Sequence, residues 1–141
     1  MYNYQDFLKN NYMRGIYNNE DILENIYEGY SKGNAFKNLY DPYKNYKVKK
    51  LVPQNEQQDL FLKLSEVSFY AHEINLLLDV DPNNREMLKK FNEYRNIANN
   101  LINQYESKYG PINLSSNALN NYPFAWEKNN FPWDNSKGEG F

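Results

Sequence analysis

The sequence predicts an all-α fold: an antiparallel helical hairpin, short helices before it, and an irregular aromatic and proline-containing C-terminal arm. Three observations carry this expectation. Leu60, Leu64, Val67, Ala71, Ile74 and Leu78 advance by alternating steps of four and three, which is a seam along one helix face. Met87, Phe91, Tyr94, Ala98, Leu101 and Tyr105 repeat the pattern on a second segment. Between them, Asp79-Val80-Asp81-Pro82-Asn83-Asn84 is a short turn, which makes the two helices antiparallel neighbours.

In chain order, residues 4–14 have room for a turn or two of helix. Asn19 is placed to cap a short helix carrying Ile22, Leu23, Ile26 and Tyr27, ended between Gly29 and Gly33. From Tyr40 to Pro53 the periodicity fails: Asp41-Pro42 favours a turn, and the Lys/Asn/Tyr mixture after it reads as an extended linker. The first long helix follows from about Gln57. Asp81 is the expected N-cap of the second, with Pro82 at its first position, where a missing N–H costs nothing. That helix should stop at Tyr109, because Gly110 tolerates a left-handed backbone and Pro111 cannot continue it. Residues 112–141 show no regular period. Tyr122-Pro123-Phe124-Ala125-Trp126 and Phe131-Pro132-Trp133 read as stiff extended strips with large anchors.

The outer faces of the long helices differ. Opposite the seam, the second helix carries Lys89, Asn96 and Asn103, whereas the first carries Leu62, Phe69 and Leu76. The first helix is therefore apolar on two opposite sides, and a hairpin alone covers only one of them. Cover by one of the chain's own arms and cover by a partner protein are both open at this point.

Composition excludes several classes of chemistry. The 141 residues suffice for one compact domain with arms, and 16 Lys and Arg against 18 Asp and Glu leave a net charge of −2. Lys44, Lys47, Lys49 and Lys50 form the one locally basic run, which reads as a solvated linker. With no charge surplus to meet a phosphate backbone, no nucleic-acid partner is expected. The absence of cysteine removes disulfides, thiolate nucleophiles and thiolate metal sites. Met1-Tyr2-Asn3-Tyr4-Gln5-Asp6 has neither a basic leader nor an apolar stretch, so no signal peptide is expected, and no segment reads as membrane-inserting. His72 is the single histidine and sits beside the seam on the wet edge; Phe69 stands where a Glu-x-x-His dimetal pair needs its glutamate. Asp79-x-Asp81-x-Asn83 opens like a calcium loop, but Asn84 replaces its glycine and Lys90 its final glutamate, so capping explains these residues better. No catalytic residues, cofactor or metal site emerge, and the chain is not expected to be an enzyme.

Leu76-Leu77-Leu78-Asp79, Pro82-Asn83-Asn84, Phe91-Asn92 and Tyr105-Glu106-Ser107-Lys108-Tyr109-Gly110-Pro111 stand in an order and spacing that resemble the CotJB-type spore coat proteins. Trp126-Glu127 and Phe131-Pro132-Trp133 look like that family's ending, although Asn129-Asn130 departs from its Trp- and Gly-Pro-rich tail. Upstream, Gly33-Asn34-Ala35-Phe36 and Leu39-Tyr40-Asp41-Pro42-Tyr43 are similar to the C-terminal end of CotJA-type proteins, without those chains' proline-rich lead. On this resemblance, residues 1–53 form a CotJA-like segment of short helices and linker, and 54–141 a CotJB-like hairpin with an aromatic tail. It implies a non-catalytic, structural role in spore coat assembly, with the protein made in the mother-cell cytoplasm. It also implies a manganese-catalase-like, CotJC-type coat protein as partner, alongside other coat proteins. The expected partner-binding residues are Tyr40, Tyr43, Leu62, Phe69, Leu76, Trp126, Phe131 and Trp133, since aromatics on stiff arms make good interface anchors. Two rival readings are a helical adaptor for a partner's coiled coil and a small metal-dependent oxidase with Glu66, His72 and Glu73 as ligands.

Overall fold

Residues 22–39 and 43–128 are described by a computed structural model. The expected helix at 4–14, its neighbour's cap Asn19, and the Asp41-Pro42 turn lie outside the described residues.

The chain begins its described course as an extended strip, not a helix. Leu23 forms an antiparallel bridge with Phe36, the Glu24 amide donates to the Ala35 carbonyl at 2.8 Å, and the Lys37 amide donates to the Ile22 carbonyl at 3.1 Å. Enclosed between these strips is α1, Ile26–Lys32. Its cap is Asn25, whose Oδ1 accepts from the Tyr27 amide at 3.0 Å, and it ends at Gly33, held at φ +75°. The expected helix is thus shorter and starts later than the sequence suggested. Ile22 and Leu23 are adjacent apolar residues, and extended backbone lets both reach the core.

Residues 43–55 carry no helix or strand. Asn55 then caps α2, Glu56–Val80: its Oδ1 accepts from the Gln58 amide at 2.8 Å, while Gln58 Oε1 accepts from the Gln54 amide at 2.7 Å. This reciprocal arrangement is close to a capping box and explains why Gln58 is buried. The second long helix, α3, spans Arg85–Tyr109. Each has 25 residues, so each is about 37 Å long. The two pack as the predicted hairpin.

The turn corrects the expected cap. The Asp81 amide still donates to the Leu77 carbonyl at 2.9 Å, so Asp81 closes α2 rather than opening α3. Asn84 is the cap, with its Oδ1 accepting from the Met87 amide at 3.1 Å, and its amide group reaches back to Asp81 Oδ2 at 3.3 Å. Both residues are competent caps, three positions apart, and Pro82 remains in the turn. Asn84→Ala is expected to destabilise the protein by about 1 kcal/mol in urea unfolding. An unchanged midpoint would return the cap to Asp81.

At the other end α3 stops at Tyr109 as predicted, with Gly110 at φ +106° and Pro111 buried behind it. From there to residue 128 the chain is irregular apart from two short 3-10 turns, Asn117–Asn120 and Ala125–Lys128. Asn113 Oδ1 accepts from both the amide and the hydroxyl of Ser115, and Ser116 caps the first 3-10 turn through the Ala118 amide. No helix among the described residues is long and apolar enough to cross a membrane.

Internal packing falls into two units, each sharing part of both long helices. In the first, Ile22, Leu23, Ala35 and Phe36 join Tyr70, Ile74, Leu77 and Met87 in one buried cluster, flanked by Ile26, Phe69, Leu78, Phe91 and Tyr94. Each fully buried side chain of that size is worth about 1.5–3 kcal/mol. In the second, Leu62, Leu64 and Ala98 are buried, and Phe61 meets Tyr105 at 5.6 Å between ring centroids.

Candidate functional site

The deepest side chain of the first unit is one the seam did not include. Tyr70 has no exposed surface, and its Oη donates to the carbonyls of Glu24 and Asn25, each at 2.9 Å. The seam residues Leu64, Val67 and Ile74 are buried as expected, but Leu60, Ala71 and Leu78 are only half-buried. Burial is displaced toward Tyr70, Ile74 and Leu77, spaced four and then three apart. That strip of α2 lies under both α3 and the N-terminal arm, so it is covered twice. Burial pushes the Tyr70 hydroxyl well above the ordinary tyrosine range, with the Tyr94 hydroxyl and nearby carboxylates adding to the effect. The proton therefore stays on Oη, and the hydroxyl remains a donor.

Gly29 of α1 makes this approach possible. A Cβ at that position would fall 2.0 Å from Tyr70 Oη and 2.8 Å from Cζ. The Ala35 amide adds a further link, donating to Glu73 Oε2 at 3.4 Å, and Lys32 pairs with Glu24 at 3.0 Å. An aromatic chain runs from Tyr30 to Phe69 at 5.7 Å, Phe69 to Tyr70 at 6.0 Å, and Tyr70 to Tyr94 at 5.5 Å.

The predicted partner-binding residues now separate into groups. Leu62 is buried at 7% exposure, and Phe69 is half-buried between Tyr30 and Tyr70. Leu76 is open to solvent at 48%. The apolar outer stripe is thus covered at Phe69 by the chain's own N-terminal arm and left open at Leu76. Tyr43 is 85% exposed, whereas Trp126 is half-buried. Tyr40, Phe131 and Trp133 lie outside the described residues. Among the exposed apolar side chains outside the expected contact set, Leu114, Tyr122 (99% exposed) and Phe124 lie after the hairpin. Proline beside aromatic residues was the signal that marked Tyr122 and Phe124 as a segment.

In the second unit, Gln57 donates to Tyr105 Oη at 3.1 Å, Tyr105 meets Tyr109 at 5.1 Å, and Lys108 pairs with Glu56 at 2.5 Å. The Lys108 ammonium holds the Glu56 carboxyl below its usual range and is itself held above its own. The carboxyl's contribution is present above the ordinary carboxylate pKa and fades as pH falls through the lowered one. The lysine's contribution fades as pH rises through its raised pKa. Glu106, buried, accepts from the Ile112 amide at 3.0 Å and fixes the exit of the tail.

Glu66, His72 and Glu73, the ligands of the oxidase reading, do not converge. Glu66 is buried, His72 is exposed and Glu73 is engaged with Ala35. Among the described residues no three His, Cys, Asp or Glu side chains group as a metal site would require. His72→Ala is expected to change stability by no more than about 0.5 kcal/mol in thermal unfolding. Loss of a stoichiometric metal in that variant would instead make His72 a ligand.

The family model described as CotJB protein matches residues 58–134, more than half of the chain. No curated protein and no solved structure matches it.

Proposed function

The chain belongs to the CotJB family of spore coat proteins, and from that premise we propose that it acts without catalysis, docking a manganese-catalase-like coat component into the coat. One observation carries the docking claim: the segment after the hairpin leaves Tyr122 99% and Phe124 57% exposed, inside the stretch that the family model matches. Monomeric proteins rarely leave such residues clustered in water unless a partner covers them. Trp126, on the adjoining 3-10 turn, belongs to the same contact set in this reading, and Phe131 and Trp133, which follow in sequence, are proposed as further contacts. Tyr43 and Leu76 are secondary contacts, whereas Leu62 and Phe69 serve internal packing. Residues 1–53 are the CotJA-like segment of this proposal, a coat component joined to the hairpin in one chain. Support for that division is that the family match begins only at residue 58.

Deleting residues 122–141 tests the reading. Helix content and unfolding midpoint should stay near those of the intact chain, while capture of the purified catalase-like partner weakens. Trp126→Ala with Trp133→Ala should act similarly, since a buried aromatic anchor is worth about 2 kcal/mol or more, roughly thirty-fold in Kd. A truncated protein that melts early and aggregates would make the tail an internal cover.

A further inference from the structure

We propose that the arm, residues 22–39, is exchangeable between copies, so that the hairpin of one chain can be completed by the arm of another. The occupant is defined by the seat it already fills. Ile22, Leu23, Ala35 and Phe36 supply half of the buried cluster, and the hairpin's Tyr70, Ile74, Leu77 and Met87 supply the rest. The polar links are equally local: Tyr70 Oη to the Glu24 and Asn25 carbonyls, and Glu73 to the Ala35 amide. None of these contacts depends on which chain donates the arm.

What joins arm to hairpin permits the exchange. Residues 43–52 form no helix or strand, and Tyr43 through Lys50 are all exposed. Ten extended residues reach about 33 Å. Lys44, Lys47, Lys49 and Lys50 lie in this stretch with no acidic residue among them, so the linker resists collapse onto itself. The family match, moreover, begins at residue 58 and leaves the arm outside it. Swapping an identical element between protomers is a low-cost route to association, since every native contact is kept. A short linker of this kind holds the arm at an effective concentration on the order of millimolar, so the arm stays on its own hairpin in dilute solution and exchanges in a densely packed layer. This inference is independent of the catalase-like partner.

Complementation between two full-length variants tests it. Gly29→Leu spoils the arm and leaves the hairpin seat intact; Tyr70→Ala spoils the seat and leaves the arm intact. Each variant alone should be monomeric by light scattering. Mixed at equal concentration, they should form a one-to-one dimer, in which the good arm of one fills the good seat of the other. A mixture that stays monomeric, with both variants retaining wild-type helix content, would overturn the proposal. Should either variant lose helix content, wild-type chains decide. Isotope-labelled and unlabelled protein, concentrated together to the millimolar range and read by native mass spectrometry, should give mixed dimers. Their absence would equally overturn it.

Discussion

Tyr70→Ala is expected to destabilise the protein by about 3–5 kcal/mol, the cost of removing a large aromatic from a packed core. The ring has no exposed surface and touches Phe69 and Tyr94, so truncation leaves a cavity that two helices and an arm must collapse to fill. The hydroxyl is lost as well. The Asn25 carbonyl keeps a second donor, the Gly29 amide at 2.8 Å, whereas for the Glu24 carbonyl Tyr70 is the donor that the fold supplies. Tyr70→Phe separates the two contributions: it keeps the ring and should cost about 1–3 kcal/mol. Urea unfolding followed by circular dichroism measures both. A Tyr70→Ala loss below about 1 kcal/mol would mean that the arm does not seat on this residue.

Gly29→Ala is expected to destabilise, and here the sign is the test. In a helix interior the change normally stabilises by up to about 1 kcal/mol, because glycine loses more backbone entropy on folding. At this position the added methyl would overlap Tyr70 Oη, and the Asn34 carbonyl stands 3.1 Å away on another side. The tyrosine ring is walled in and cannot swing aside. Overpacking of this kind costs about 1–3 kcal/mol, and displacing the hydroxyl from its two carbonyls moves the effect toward the upper end. Combining Gly29→Ala with Tyr70→Phe should remove much of the penalty, since the atom in collision is gone. The two substitutions should therefore be strongly non-additive in a double-mutant cycle. A stabilised Gly29→Ala protein would show that α1 stands off the hairpin.

The hairpin was legible in the sequence because its signals are local. Seam residues at heptad spacing, a short polar turn and Gly110-Pro111 each act within a few positions, and the structure follows them to within a turn of helix. The cap moved from Asp81 to Asn84 because two residues of the same capping chemistry lie three apart, and local pattern alone does not rank them. Tyr70 was not legible for a different reason. Its role depends on the carbonyls of Glu24 and Asn25, some 45 positions away, and nothing about a tyrosine one step outside a seam announces them. The second apolar stripe was legible as a demand for cover, since Leu62, Phe69 and Leu76 recur by seven. Its source was not: Tyr30 supplies the cover at Phe69, from the N-terminal side of the chain. Of the expected contact surface, Tyr43 and Leu76 are exposed, and the tail's exposed residues, Tyr122 and Phe124, lie beside the expected anchor Trp126.

Hydrogen–deuterium exchange on the full-length protein, with and without the purified manganese-catalase-like coat protein, tests the account most directly. In this reading the arm and residues 66–75 pack internally, and the segment after Gly110 meets the partner. Adding the partner should therefore slow exchange across residues 112–128 while leaving 24–37 and 66–75 as they were. New protection confined to the hairpin around Phe69, loss of protection in the arm, or no change anywhere would contradict it.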